Sequence, residues 1–157
     1  MKTRWKPSVT VAAVVEHNGR FLLVEEHTPE GLRLNNPAGH LEVGESLEQA
    51  CTRETLEETT YQFTPTALVG IYQAPLRNTS TQETTTYLRF AFCGDLGALQ
   101  LDRKLDRGIV RTLWMTADEI RASTARHRSP LLLRCVEDYL AGKRYPLDLI
   151  YTAPEAG

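Results

Sequence analysis

The sequence predicts a mixed α/β domain of the α+β type, and three observations carry that prediction. Runs of β-branched and aromatic residues lie before and after the middle of the chain, and two capping boxes and a Ser-Pro pair announce three helices. The resulting order of strands, helix, strands, helix, helix lacks the regular alternation of a βαβ series. With 157 residues, 41% of them hydrophobic and 24% charged, the chain is expected to fold as one domain over residues 1–157. A core of that size needs no disulfide or metal staples.

Val9, Val11, Ala13 and Val15 alternate with Thr10, Ala12 and Val14, and Asn18-Gly19 separates this run from Phe21-Leu22-Leu23-Val24. Asn-Gly supplies the two positive-φ positions of a type I′ turn, so a hairpin is expected between the two runs. Ser46-Leu47-Glu48-Gln49 is a capping box opening a helix expected over Leu47 to about Thr59. Thr66 to Tyr72 and Thr84 to Cys93 read as strands, with Thr86, Leu88, Phe90 and Phe92 on one face and Arg77 to Gln82 as the loop between them. Val110 to Met115 is a further short strand. Thr116-Ala117-Asp118-Glu119 caps a helix over Ala117 to about Ser123, and Ser129 ahead of Pro130 caps one over Pro130 to Ala141, stopped by Gly142.

A net charge of −2 leaves no positive field to gather a nucleic acid polymer. The longest apolar run, Val11 to Val15, is far short of the ~20 residues of a membrane span. No apolar segment follows Met1 to Lys6, so a cytoplasmic protein is expected. Cys51, Cys93 and Cys135 are widely spaced and odd in number, which reads as three reduced, buried thiols. GxxxxGKS/T, GxGxxG after a strand, HExxH and GxSxG are all missing from the sequence. His17 and His27 read as exposed turn residues, and His127 with Arg126 and Arg128, like Arg103, Lys104 and Arg107, reads as solvated charge. Trp114 and Tyr72 read as core aromatics, with stacking on a ring as the second option.

The informative segment is the helix after Ser46. At roughly 100° per residue, Leu47, Ala50, Cys51, Glu54, Glu57 and Glu58 share one sector, so carboxylates stand on the face that should be apolar. Glu54, Glu57 and Glu58 at i, i+3 and i+4 repel one another by about 0.2–0.5 kcal/mol per pair even in water. Either protons or a divalent cation must relieve them. A donor set of oxygen alone suits Mg²⁺ or Mn²⁺. His40, in the loop before this helix, suits a substrate contact or a structural hydrogen bond. Arg89, on the strand face opposite Leu88 and Phe90, suits a phosphate clamp.

The same residues carry a resemblance. Gly39, Glu45, Arg53-Glu54 and Glu57-Glu58 stand at the spacings GX5EX7REUXEEXGU, which resembles the signature box of the Nudix hydrolases. Lys6-Pro7, Asn36 to Glu42, Leu88-Arg89-Phe90, Arg128-Ser129-Pro130 and Gly142 to Leu147 extend the likeness, over about residues 6 to 150, to the NudJ-type phosphatases within that family. The resemblance implies a Nudix fold, a mixed β-sheet sandwiched between α-helices, and Mg²⁺-dependent hydrolysis of a diphosphate, with Mn²⁺ as a substitute. For that branch it implies release of orthophosphate from nucleoside tri- and diphosphates and from pyrophosphorylated thiamine-pathway compounds. The alternative is a pyrophosphohydrolase that clears oxidised nucleotides and releases pyrophosphate; a third reading is a non-catalytic ligand-binding domain. The partner implied is a small phosphorylated molecule, with neither a nucleic acid polymer nor a membrane.

Carried over by position, the catalytic residues would be Glu54, Glu57, Arg53 and Glu45. The metal would fall to Glu54, Glu57, Glu58 and the carbonyl of Ala38. From their own placement, not from the box, Gly39, His40 and Arg89 are the candidate substrate contacts. Arg53 would pair with Glu45 to hold the loop against the helix. Two positions depart from the box: Thr55 replaces an aliphatic residue and Thr60 replaces the glycine. A β-branched residue is costly in a left-handed turn, so the helix is expected to end along a different backbone path.

Overall fold

The computed structural model describes residues 2–155. The first apolar run is strand β1 (Ser8–Ala13), and both of its faces are covered. Val11, Ala13 and Val15 enter one apolar cluster, while Ala12 and Val14 enter another. Such a run has no polar face to set a hairpin register. The expected hairpin between the two runs accordingly does not form as one unit: β1 lies parallel to a distant strand, and the chain changes sheets at Val14-Val15. The Asn-Gly turn itself is as expected, with Asn18 at φ 51° and Gly19 at φ 76°. It joins the two-residue β2 (Glu16–His17) to β3 (Arg20–Thr28).

Two short strands that the sequence did not suggest follow, β4 (Gly31–Asn35) and β5 (Ala38–His40). Helix α1 (Leu47–Thr59) has the expected bounds and a complete capping box between Ser46 and Gln49. Strands β6 (Tyr61–Arg77) and β7 (Thr84–Leu99) are much longer than expected, because bulges near Phe63, Pro65 and Leu68 let the ladder continue past Pro65. Their loop is shifted by one residue to 78–83, pinned by the Asn78 side chain, which accepts from the N–H groups of Ser80 and Thr81. Strand β8 (Ile109–Thr116) leads through a second capping box into α2 (Ala117–Ala122). Helix α3 (Leu131–Leu140) begins one residue later than expected, with the Ser129 hydroxyl accepting from the Leu131 N–H.

The strands form two four-stranded sheets, β5-β1-β7-β6 and a second in which β3 pairs β2, β4 and β8. In the first sheet β1 and β7 are parallel and the other pairs antiparallel. One face of this mixed sheet packs Phe63, Leu68 and Phe92 against Ala50 and Cys51 of α1. The other packs Ala12, Val69 and Ala91 against Leu132, Cys135 and Val136 of α3. The mixed sheet is therefore sandwiched between helices. All three cysteines are buried free thiols. Among the described residues no helix is long and apolar enough to cross a membrane.

One expectation fails at the end of α1. Thr60 adopts the left-handed conformation, φ 64° and ψ 8°, so the chain takes the glycine-type path despite the β-branched side chain. Neighbours hold it there: its N–H reaches the Leu56 carbonyl at 2.8 Å, and its carbonyl accepts from Gln100 N–H at 2.8 Å. The conformational cost of about 1–2 kcal/mol is offset by this framework.

Candidate active site

Arg53 organises the first half of the site. Its Nε and one terminal nitrogen bond both oxygens of Glu45, at 2.6 and 2.9 Å, a fork that only a planar guanidinium matches. The other terminal nitrogen donates to Glu54 at 2.8 Å and Glu57 at 3.2 Å, and Glu42 stands at 3.6 Å. The Glu45 fork fastens the loop before α1, because Glu45 also accepts from the Glu42 N–H at 2.9 Å. Arg53 holds the Glu45 carboxyl below its ordinary range. The carboxylates in turn raise the Arg53 guanidinium above its own.

Strand β5 supplies the second half. Pro37 and Leu41 bond β1 through the pairs Ala13 N–H to Pro37 carbonyl and Leu41 N–H to Val9 carbonyl. Alternation along an antiparallel edge then turns the backbone groups of Ala38 and His40 the other way, towards α1. The His40 carbonyl accepts from Arg53 at 2.9 Å, and the Ala38 N–H donates to Glu58 at 2.9 Å. A Cβ at Gly39 would overlap the Glu54 carboxylate, so any other residue there would push Glu54 from its place beside Arg53. Burial pushes the Glu58 carboxyl up to about 9 against the pull of the Ala38 N–H, and Glu26, Glu54 and Asp106 add to the push. Burial also raises Glu54, although Arg53 opposes it.

The three helix carboxylates do not gather as one group, although Glu54 and Glu57 share one Arg53 nitrogen. Among the described residues no three His, Cys, Asp or Glu side chains are gathered as a metal-holding group. Arg53 takes Glu54 and Glu57, and the β5 backbone takes Glu58. The expected sector is also rotated: Thr55 and Thr59 are buried beside Ala50, Cys51 and Glu58, while the Glu57 side chain is 30% exposed. The donor chemistry still fits a hard divalent cation, because the buried Glu58 and the largely buried Glu54 bring carboxylate oxygens up to strand β5.

Glu54, Glu58, Ala38, Gly39 and His40 open onto a cleft of about 740 Å³. His40 is exposed at its rim, with its ring 6.4 Å from that of Tyr87. Arg89 lies at 5% exposure in the cleft's floor, donating to Asn36 at 2.8 Å and Asn35 at 3.2 Å. Sequence reading missed Glu26 and Asp106, which line the same cleft. Asp106 arrives through its N–H bond to the Glu57 carbonyl, and Glu26 through the β3 register. Neither carries a local signal, since both belong to segments brought in from outside the box.

Other residues settle differently from expectation. Arg126 and Arg128 are not free surface charge: they pair with Glu25 at 2.6 Å and Glu26 at 3.1 Å, and Arg128 borders the cleft. His127 is half-buried, bridged to Leu34, and burial lowers it. Arg103, Lys104 and Arg107 are exposed, as are His17 and His27. Tyr72 donates to Asp138 at 2.8 Å within the core, and Trp114 packs edge-on against Tyr61 on the α1 side of the sheet.

A helix-sandwiched mixed sheet whose edge strand and acidic helix share a cleft lined by both carboxylates and arginines suits a phosphorylated small molecule. Comparison with known proteins agrees with that class. The model of the NUDIX domain matches residues 4–135. The protein named Phosphatase NudJ from Escherichia coli strain K12 is 38% identical over 148 residues, covering 93% of this chain and 92% of that one. The solved structure of a NUDIX hydrolase from Nitrosomonas europaea has a TM-score of 0.87 and 54% identity, covering 96% of this chain and all of that one. At 22% identity, a bifunctional NMN adenylyltransferase/ADP ribose pyrophosphatase from Francisella tularensis, complexed with AMP and a Mn ion, shares the fold at a TM-score of 0.62, over 87% of this chain and 42% of its own. The chain belongs to the Nudix family and is a hydrolase of phosphoanhydride bonds, a chemistry for which the family typically uses a divalent metal.

Proposed function

We propose that the chain is a Mg²⁺-dependent phosphatase of the NudJ kind, with Mn²⁺ as a substitute. It releases orthophosphate from nucleoside tri- and diphosphates and from pyrophosphorylated thiamine-pathway compounds. The observation that carries the reading is one cleft holding the buried carboxylate of Glu58 and the largely buried one of Glu54 together with the buried guanidinium of Arg89. Identity of 38% over nearly the full length of a protein named Phosphatase NudJ supports it.

In this reading Glu54, Glu57, Glu58 and the Ala38 carbonyl hold the cation, and Arg53 with Glu45 keeps their scaffold rigid. When bound, the cation would neutralise the phosphate oxygens and make water more acidic. Glu54, raised by burial yet steadied by Arg53, takes the proton as water attacks phosphorus. Gly39 lets the substrate chain lie close to the Glu54 carboxylate, with His40 at the rim. Release of orthophosphate rather than pyrophosphate follows from how the substrate is held. Tyr72 and Trp114 are committed to packing and do not clamp a base, so binding energy comes mainly from the phosphates.

The test is a panel of nucleotides and thiamine-pathway diphosphates with Mg²⁺, scoring orthophosphate and pyrophosphate separately. Orthophosphate as the first product from both tri- and diphosphates is expected. Pyrophosphate as the first product, with diphosphates untouched, would replace this reading with a nucleotide pyrophosphohydrolase.

A further inference from the structure

Arg89 is 5% exposed in β7, one of the two central strands of the mixed sheet. Its hydrogen-bond partners are the side-chain oxygens of Asn36 and Asn35 and, at 3.8 Å, the Cys135 sulfur. All are neutral acceptors. Its Nε is buried with no partner at all among the described residues. A buried cation without a counter-ion costs several kcal/mol, and a buried donor without an acceptor adds to that cost.

The cleft's own carboxylates do not supply the missing charge. Glu54 and Glu42 face Arg53, Glu58 the Ala38 N–H, Glu26 Arg128 and Glu30 the Thr79 hydroxyl, and among the described residues none of these, nor Asp106, stands within ion-pair distance of Arg89. The sheet register also keeps Arg89 away from the acidic edge. Thr10 of β1 pairs His40 on one side and Arg89 on the other, so Arg89 sits two strands, roughly 10 Å, from the β5 edge that Glu54 and Glu58 approach. The Sγ contact with Cys135 places the guanidinium beside α3, and Ser129, Pro130 and Leu131 at that helix's start line the same cleft. No acidic residue occupies the first turn of α3. Leu131 and Leu132 N–H bond Ser129, so the helix start contributes its dipole and the guanidinium its charge to the same cleft.

We infer that Arg89, with the start of α3, forms a phosphate-oxyanion subsite that works without metal and is separate from the carboxylate edge. It rests on the reading of the cleft as a phosphatase site and adds that one phosphate is held by this chain's own charge. That phosphate is either the far group of the substrate or the orthophosphate after release; the chemistry is the same.

The experiment titrates inorganic phosphate into the full chain in excess chelator, followed by calorimetry and ³¹P line broadening. Saturable binding is expected for the native protein. Asn36→Asp places a carboxylate where the Asn36 oxygen already meets Arg89, which keeps the fold and should weaken phosphate binding by about tenfold or more. Arg89→Met, an uncharged side chain of similar reach, should do the same with no loss of Tm. If the methionine variant fails to fold, the aspartate variant decides alone. No saturable binding in chelator, or full binding in Asn36→Asp, would overturn the inference. Orthophosphate competing with substrate in the metal-loaded enzyme assigns the subsite to the substrate's phosphate, and noncompetitive inhibition assigns it to the product. A protein that binds phosphate in chelator yet hydrolyses nothing on the substrate panel refutes the phosphatase reading and leaves the subsite standing.

Discussion

Arg53 on α1 and Arg89 on β7 hold the two enclosed guanidinium groups around the site. Arg53 has four carboxylates within ion-pair distance, Glu42, Glu45, Glu54 and Glu57, although its side chain is 21% exposed. Arg89 is more deeply buried and has amide oxygens and a thiol instead. Charge satisfied from several directions fixes geometry, because each bond restrains the next. Charge left open in a dry place attracts an anion. Two arginines of one chain thus differ in their charge environment through their neighbours alone.

The largest expected effect touches the acids that Arg53 steadies. Glu54→Gln should lower kcat by about 10²–10⁴-fold while leaving the protein folded, since it removes the proton acceptor and keeps the shape. Near-native turnover would show that the Arg53 web is structural only. Next comes the arginine itself. Arg53→Ala should destabilise the chain by about 3 kcal/mol in urea unfolding, because it strands carboxylates that are already half-buried. Arg89→Met should change stability far less, since it removes a charge that nothing in the fold satisfies. Equal losses from the two substitutions would erase the contrast. A double-mutant cycle of Arg53 with Glu45 should give a coupling of about 1–3 kcal/mol, and additive single effects would rule out the fork.

Glu58 sharpens the comparison from the acidic side, since its partner is a backbone N–H and no cation. Its folded pKa of about 9 lies above the ordinary glutamate value of 4.5, so the folded chain keeps a proton there that the unfolded chain has lost. Between those two values stability falls as pH rises. In chelator, Tm should drop by several degrees from pH 5 to pH 8, and Glu58→Gln should flatten that decline while a divalent cation restores Tm at the upper end. A Tm that rises over this range would contradict the burial argument.

The smallest effect calibrates the others on the same helix without charge. Thr60→Gly should raise stability by about 1 kcal/mol, or about 2–4 °C in Tm, by relieving the left-handed threonine. Lower stability in the glycine variant would mean that the Thr60 side chain contributes more packing than its backbone strain costs.

What was legible beforehand is what depends on neighbours in the chain. The bounds of α1, its capping box, the Asn18-Gly19 turn and the box residues all follow from spacings of a few residues. Hydrogen bonds between i and i+4, or across a two-residue turn, form with little loop to close, so sequence alone can specify them. The same locality explains the failure at Thr60: intrinsic preference argued against a left-handed threonine, and bonds to Leu56 and Gln100 overruled it.

The rest was decided between segments far apart. The carboxylates of α1 looked like one cluster because their spacing on an isolated helix is fixed, yet Arg53 and the Ala38 N–H divide them. Glu26 and Asp106 reach the cleft through β3 and the loop before β8, and Arg89 meets Asn35 and Asn36 across more than fifty positions. The residue types, their charges and the box that marks the family were determined by the sequence itself. Which charge is satisfied and which is left open was settled only when the sheets paired, because the strength of an ion pair depends on burial and distance, and both are properties of the packed chain.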